Sequence, residues 1–535
     1  MFYRRRSRPV PQLASGARRE GSYNSLMAGH GVDAAPPPAV GAAHEETAAS
    51  GPSGGEPGLR RKVVSGIGWK LLGHGFAQVT RSLVGILLAR ILSPSDFGLA
   101  AMALVFIGIT GIFTDLSLGS ALVQRDTITE EDRSTAFWTT LGAGTLITLI
   151  GVGLSPLIAD FFSTPKATPL IAATCSMVFL ASLGLTQTAL LTREMQFRSL
   201  ELRNFFGALV GAALAIPIAL AGFGAWAIIS QAIGSTAVSS FLVWRLSSWR
   251  PRFIYSVASL RKLGSFGIKT MFSQFLGFLS LYADNLLVGR YLGSLQLGIY
   301  SVAYNVMFVP VMRVAQPVQD VVFAGFAKLQ NEPDRLRDAW MRGTVLVSSL
   351  NAAAFLGMFV VAPDFVPVVL GGKWHAAVPV LQFLSLAGVS QSVQSLNWAT
   401  MQSLGRAGTS LRLRLFSVPL TLVAFALGLH WGVVGVAGLY AAARFIILLV
   451  SVTVTCRAIG YPLRLFGRRI SSVAGHCLVM TICVYAARVG LVHAGVSAPA
   501  RLVLLVVFGT AVYGGIIAWR DPGLVRELRG LAARR

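Results

Sequence analysis

The residues most able to do chemistry are the ionisable side chains set inside long apolar runs. In the run 64–89, Lys70, His74, Gln78 and Arg81 are spaced by four, four and three positions, which places them on one helix face. Lys269, Ser273, Gly277 and Ser280 repeat that spacing in the run 264–288, and Asp284 continues the stripe by one turn. In the run 297–320, Asn305, Arg313, Gln316 and Asp320 share a face. Arg444 stands alone near the middle of the run 433–455, and Asp115 lies near the end of the run 97–119. An ionisable group in hydrocarbon costs about 2.5–3.5 kcal/mol on insertion scales, so each of these needs a cavity, a partner or a route to the surface. Arg81, Lys269, Arg313 and Arg444 outnumber Asp115 and Asp284, so the inferred cavity is cationic. Guanidinium groups grip phosphate oxygens bidentately, so such a cavity suits an anion, for example a phosphate or diphosphate group.

Plainer readings stand beside these. Lys70 is placed to snorkel to the membrane surface. Asp115 and Asp320 fit an interfacial position. Asp284 fits an ion-coupling carboxylate or the partner of a basic residue, and His74 a packed polar residue or a proton carrier. Arg90 and Arg290 end their runs as cations that complement the helix dipole.

The chain that carries these residues is built for a membrane. Its 535 residues are 54% hydrophobic and 13% charged, with mean hydropathy +0.65. Soluble domains average roughly 25% charged residues, and a soluble chain this apolar would expose large sticky patches. The composition excludes a secreted globular enzyme, a nucleic-acid-binding domain and a disulfide scaffold. Fourteen runs are long enough to span: 64–89, 97–119, 136–158, 168–191, 204–221, 224–244, 264–288, 297–320, 340–362, 378–402, 413–429, 433–455, 471–488 and 500–519. The fold class expected is an all-α integral membrane protein. With the amino terminus inside, the inside connections and the carboxyl tail carry 26 Lys and Arg and the outside connections 6. That asymmetry orients the chain with both termini cytoplasmic and explains a net charge of +24 without nucleic acid.

Four regions follow. Residues 1–62 form a tail whose stretch from Ala34 to Gly58 has no apolar periodicity, so it is expected to be disordered. The tail reads either as a basic arm touching anionic lipid or as an extension upstream of a true start at Met27. Residues 63–250 and 251–460 each hold six runs, and 461–535 hold the last two and a basic tail. Cys175, Cys456, Cys477 and Cys483 sit in apolar runs with no C-x-x-C pair, so they read as small core residues. No P-loop, H-E-x-x-H or G-x-S-x-G occurs, so neither a cofactor nor a metal is expected, and a transported solute would be driven by a gradient.

The two six-run regions are copies. Ala89-Arg90-Ile91-Leu92 through Phe97-Gly98 to Ala103 recurs 200 positions on as Gly289-Arg290-Tyr291-Leu292 through Leu297-Gly298 to Ala303. Further along, Gly222, Ala225 and Ala227 match Gly432, Gly435 and Ala437 at an offset of 210. Six is even, so both copies start on the same side, related by an axis along the membrane normal, with a cavity between two rocking lobes.

Leu92-Ser93-Pro94-Ser95-Asp96-Phe97-Gly98, the stretch from Asp115 to Arg125, Thr129-Glu130-Glu131-Asp132 before Phe137-Trp138, and Asp284-Asn285-Leu286-Leu287-Val288-Gly289-Arg290-Tyr291-Leu292-Gly293 together resemble the signature of Wzx-type polysaccharide flippases, in the WzxC/TuaB branch of the multidrug/oligosaccharidyl-lipid/polysaccharide exporter superfamily. The resemblance covers roughly 63–460. It implies a bacterial inner-membrane protein, not an enzyme, that moves undecaprenyl-diphosphate-linked oligosaccharide to the outer leaflet. It also implies two six-helix lobes around a cationic cavity, a lipid groove formed by the last two spans, and work alongside a polysaccharide polymerase and a chain-length regulator. The alternatives are a drug or cation antiporter of the same superfamily, which would want an acidic pocket, and a membrane polymerase or ligase, which would want a large outside loop.

Overall fold

The computed structural model describes residues 78–520, apart from 116–117, 126, 312–325, 327–328 and 330–331. Among the described residues there are helices and turns and no strand. The first helix, α1 (78–91), leads into α2 (Pro94–Asp115), the short α3 (Leu118–Gln124), α4 (Glu130–Phe161), α5 (Thr168–Arg193), α6 (Phe197–Leu220) and α7 (Trp226–Leu246). The second copy holds α8 (Val257–Pro310), α9 (Pro333–Phe365), α10 (Ala377–Gln394), the short α11 (Asn397–Ser403), α12 (Ala407–Gly428) and α13 (Gly432–Ile459). Then come α14 (Leu463–His493) and α15 (Ala498–Arg520). Ten stretches among the described residues are long and apolar enough to cross a membrane. One of them, Gly408–Ile459, is two helices that meet at the turn before Gly432. The chain is a multi-pass membrane protein.

The helices start where local chemistry starts them. Ser93 caps α2: its backbone N–H and hydroxyl donate to Asp96 Oδ2 at 2.9 and 2.6 Å, and Pro94 fills the first turn, where a missing N–H costs nothing. Thr129 and Asp132 form the same reciprocal box at the start of α4, each bond 3.1 Å. Two of the recognition motifs are therefore helix starts. Several helices outrun their apolar runs: α6 begins at Phe197 rather than 204, and α14 covers Leu463–His493 rather than 471–488. Their charged first turns are Arg-bearing, and helices extend such turns into the headgroup layer that a hydropathy window discards.

α8 is two helices joined at Gly293, whose φ of 78° only glycine adopts without strain. This break lies 200 positions from Ser93, the break between α1 and α2. The copies meet here. A Cβ on Gly98 would collide with the Ser294 carbonyl oxygen, and one on Gly298 with the Pro94 carbonyl oxygen. Pro94 and Gly98 thus face Ser294 and Gly298, the same positions 200 residues on, as in an isologous interface. Ser95 Oγ lies 2.9 Å from Ser294 Oγ. Around the crossing, Ala89, Met102 and Phe162 of the first copy share one buried apolar cluster with Val288, Leu297, Tyr300 and Trp374 of the second.

α14 and α15 are fastened to the second copy through Asp364. This carboxylate, 1% exposed, accepts from Arg488 Nε at 2.6 Å and Arg501 Nε at 2.8 Å. Removing the shared partner leaves two part-buried guanidiniums uncompensated, which costs about 3–5 kcal/mol for a buried pair. Asp364→Ala is therefore expected to lower the unfolding free energy of the detergent-solubilised protein by ~3 kcal/mol. Chemical unfolding followed by tryptophan fluorescence checks this, and a loss below ~1 kcal/mol would mean that apolar packing alone holds the pair of helices.

Candidate substrate-binding site

The cationic residues of the sequence are distributed unevenly. Arg81 is exposed on α1 and Gln78 half-buried on the same helix. Asn305 is exposed on α8, while Asp284 of the same element is 3% exposed. His74, Arg313 and Gln316 lie outside the described residues, as do the side chains of Asp115 and Lys269. Arg444 is half-buried on α13 and lines a cavity of about 150 Å³ bounded by α10 to α13.

That cavity is the strongest candidate site. Its partner cation is Arg414, from the second turn of α12, whose guanidinium carbon sits 4.1 Å from the centroid of the Trp398 ring. Stacking on indole holds the guanidinium plane while leaving its edge free to donate. Gly277 of α8 faces Arg414, whose Nη1 lies 3.7 Å from where a Cβ would stand, an ordinary contact distance. Three lining groups have no hydrogen-bond partner: Arg444 Nε, Asn397 Oδ1 and Ser410 Oγ. Asn397 and Ser410 are each 3% exposed. The Asn397 amide is only half used, donating from Nδ2 to Ser451 Oγ at 2.9 Å. An unsatisfied buried polar group costs about 1–3 kcal/mol, so the three that converge on this polar cavity are donors and acceptors available to a ligand. Two guanidiniums, an amide and hydroxyls can together hold an anionic group rich in oxygen.

A buried polar ladder adjoins the cavity. Asp284 accepts from the Tyr300 hydroxyl at 2.9 Å and from the Asn285 N–H at 2.7 Å. Tyr300 stacks on Tyr304, ring centroids 6.0 Å apart. Tyr304 lies close to Tyr440, and Gln391 Nε2 donates to the Tyr440 hydroxyl at 3.1 Å. Tyr440 stands one turn from Arg444 on α13. Among the described residues no cation pairs with Asp284, so of its two readings the partner of a basic residue is not the arrangement seen there.

Of the described residues singled out by sequence, the cavity gathers Arg444 alone. It adds Arg414, which the sequence places among the inside-loop cations, and Asn397 and Trp398, which pass for membrane-helix polar and aromatic residues. One signal was available. At the offset of 210, Asn397 corresponds to Gln187 of the first copy, which is fully buried with both amide atoms unpartnered. Trp398 corresponds to Thr188, which accepts from Arg203 Nη1 at 2.6 Å. Both copies thus set an amide and a side chain that engages arginine at the same place. Cys175, Cys456 and Cys477 are buried free thiols and Cys483 is partly buried.

Helical throughout its described residues, with a cationic pocket among α10 to α13, the chain is a multi-pass membrane protein. This chain belongs to the family described as polysaccharide biosynthesis proteins, whose profile matches residues 87–379. It is 29% identical over 383 residues to the lipopolysaccharide biosynthesis protein WzxC of Escherichia coli (strain K12), covering 69% of this chain and 76% of that one. It is 26% identical over 356 residues to the teichuronic acid biosynthesis protein TuaB of Bacillus subtilis (strain 168), covering 66% and 73%. The solved inward closed conformation of the lipid II flippase MurJ superposes with a TM-score of 0.69 at 14% identity, over 84% of this chain and 99% of that one, a likeness of fold.

Proposed function

We propose that the protein is a flippase for an undecaprenyl-diphosphate-linked oligosaccharide, carried from the cytoplasmic to the outer leaflet for exopolysaccharide, capsule or O-antigen synthesis. The observation that carries this reading is the Arg414–Arg444 cavity with its unpartnered polar atoms, in a chain of a polysaccharide biosynthesis family. A diphosphate is an anion that two guanidiniums can hold at once. The lipopolysaccharide and teichuronic acid biosynthesis named for the relatives fits a cell-surface glycan as cargo. The protein is a transporter and not an enzyme. An antiporter of cationic drugs would want acid where this cavity carries two bases.

In this reading fourteen helices cross the inner membrane, with 63–250 and 251–460 as lobes, 461–535 as an appended pair, and residues 1–62 as a cytoplasmic tail. The end rich in arginine faces the cytoplasm and the end bearing Arg90 faces outward. Arg81, Lys269 and Arg313 line the path between the lobes, with His74, Gln78, Asp115, Asn305 and Gln316 as polar or ion-coupling groups along it. Asp284, buried and joined to Tyr300, is the ion-coupling carboxylate. A polymerase and a chain-length regulator take the unit onward.

Lipid extracts of a strain lacking the gene test the function. Diphosphate-linked oligosaccharide is expected to accumulate while surface polysaccharide disappears, both reversed by the wild-type gene. Intact surface glycan with no accumulation, in a strain with no second gene of this family, sinks the proposal. Asp284→Asn is expected to keep the protein folded and still bind substrate lipid, while lowering surface polysaccharide at least ten-fold. Equal export by Asp284→Asn and wild type would remove Asp284 from coupling.

A further inference from the structure

At the end of the bundle where the copies cross, the last turn of α1 and the loop between α9 and α10 cap each other. Arg90 donates from Nε to the Val369 carbonyl at 3.0 Å and from Nη2 to the Val368 carbonyl. In return Lys373 Nζ donates to the Arg90 carbonyl at 2.9 Å, and Trp374 Nε1 donates to the Ala89 carbonyl at 2.8 Å. These carbonyls belong to helix ends and have no acceptor role left within their own helices. Each copy therefore satisfies orphaned carbonyls of the other. Partial burial lowers the Lys373 ammonium pKa, with Asp96 opposing.

The same device recurs by the repeat. Arg290, the equivalent of Arg90, crosses in the opposite direction to the loop between α4 and α5, where Nη1 donates to Ser163 Oγ at 2.7 Å. Its guanidinium lies 5.8 Å from the Phe161 ring. Phe162 packs onto Gly289 as Trp374 sits on Ala89; a Cβ on Gly289 would come within 2.8 Å of the Phe162 ring. Ser163 holds a φ of 50°, the left-handed region that non-glycine residues seldom occupy, to present this hydroxyl. Two arginines 200 positions apart thus reach across to the opposite copy, on either side of the Gly98–Gly298 crossing. The expected role of Arg90 and Arg290, complementing their own helix dipoles, understates them: their hydrogen bonds go to the other copy.

We propose that Arg90 and Arg290 are paired latches that hold this end of the two copies shut, and that Arg90, with two carbonyl acceptors and two return bonds, is the stronger and sets the resting conformation. The inference rests on the alternating-access reading, in which this end must part for substrate to leave. Arg90 is exposed and Arg290 half-buried, so water can compete for the bonds that the two guanidiniums make, while the Trp374–Ala89 bond is buried. A contact of that kind biases an equilibrium and still lets it turn over.

The test reads conformation and needs no substrate. Spin labels at Phe223→Cys and Trp431→Cys, exposed residues beside the repeat-matched turns of the two copies, report the separation of this end in the purified full-length protein in lipid nanodiscs. The latched protein is expected to give one short distance. Arg90→Gln is expected to add a longer distance, raising the parted fraction roughly ten-fold, and Arg290→Gln to raise it less. Arg290→Lys should restore the short distance, since one hydroxyl acceptor suits an ammonium, whereas Arg90→Lys should restore it only in part. Lys373→Met removes a return bond without touching either arginine and supplies the reading should Arg90→Gln fail to fold. Unchanged distances in folded Arg90→Gln, or in Lys373→Met where that variant fails to fold, would overturn the latch. Parting of the labels in a protein whose gene deletion leaves surface polysaccharide intact would keep the latch and discard the flippase.

Discussion

Replacing Arg414 and Arg444 together by glutamine is expected to abolish surface polysaccharide while leaving the protein as stable as before, or more stable. The two effects separate because the two guanidiniums are placed against the interest of the folded state. Arg444 is half-buried with Nε unpartnered, and Arg414 has a ring rather than a carboxylate beside it. A neutral amide of similar length removes the desolvation burden and keeps much of the packing. The anion loses two charged donors. Hydrogen bonds to charged groups contribute about 1.5–3 kcal/mol each, so the pair carries ~3–6 kcal/mol of binding, a hundred-fold or more in affinity. Single variants discriminate further. Arg414→Lys keeps the charge and loses the planar face that stacks on Trp398, so it should transport poorly despite its net charge. Trp398→Leu should resemble Arg414→Lys, because it frees the same guanidinium to wander. Complementation of a deletion strain, read beside thermal midpoints of the purified variants, checks all three. A double variant that loses export only because it no longer folds would return the two arginines to a structural role.

The fold was more legible than the site, and the reason lies in how each is encoded. An apolar run announces a membrane helix locally, which is why the helical stretches and their order follow from hydropathy. Ser93, Thr129 and their carboxylate partners announce helix starts within four residues. The 200-residue repeat is legible because Gly98 and Gly298 are both required where backbone meets backbone. The cavity is encoded otherwise. Arg414 stands in the second turn of its helix, where a cation normally marks the membrane boundary, and only the packing of α12 against Trp398 turns it inward. Asn397 and Ser451 are 54 positions apart, and nothing local pairs them. Arg90 is similar. Its place at a helix end reads as dipole complementation, and its acceptors lie 278 and 279 positions away. Long-range partners of arginine are set by topology, so they become visible only once the helices are placed.

Gly98→Ala and Gly298→Ala are expected to do the same damage, although the two sites are 200 residues apart. In each case the added methyl meets a backbone carbonyl oxygen, of Ser294 or of Pro94, which cannot rotate aside as a side chain would. Overpacking a close contact costs about 1–3 kcal/mol, and a rigid obstacle puts these variants at the upper end. Because the strain exists only while the two ends touch, the protein has a second way to relieve it, by letting the ends part. Cysteines at Ser95 and Ser294, whose hydroxyl oxygens are 2.9 Å apart, report which route is taken. In the glycine background they should cross-link rapidly on mild oxidation. In Gly98→Ala the cross-linking rate is expected to fall at least ten-fold, with the thermal midpoint reduced by far less than 3 kcal/mol would require, since parting replaces unfolding. The double alanine variant should be no worse than either single one, because once the ends have separated the second methyl meets nothing. Additive losses of stability with undiminished cross-linking would mean that the crossing is a rigid strut, and that any movement between the copies pivots elsewhere.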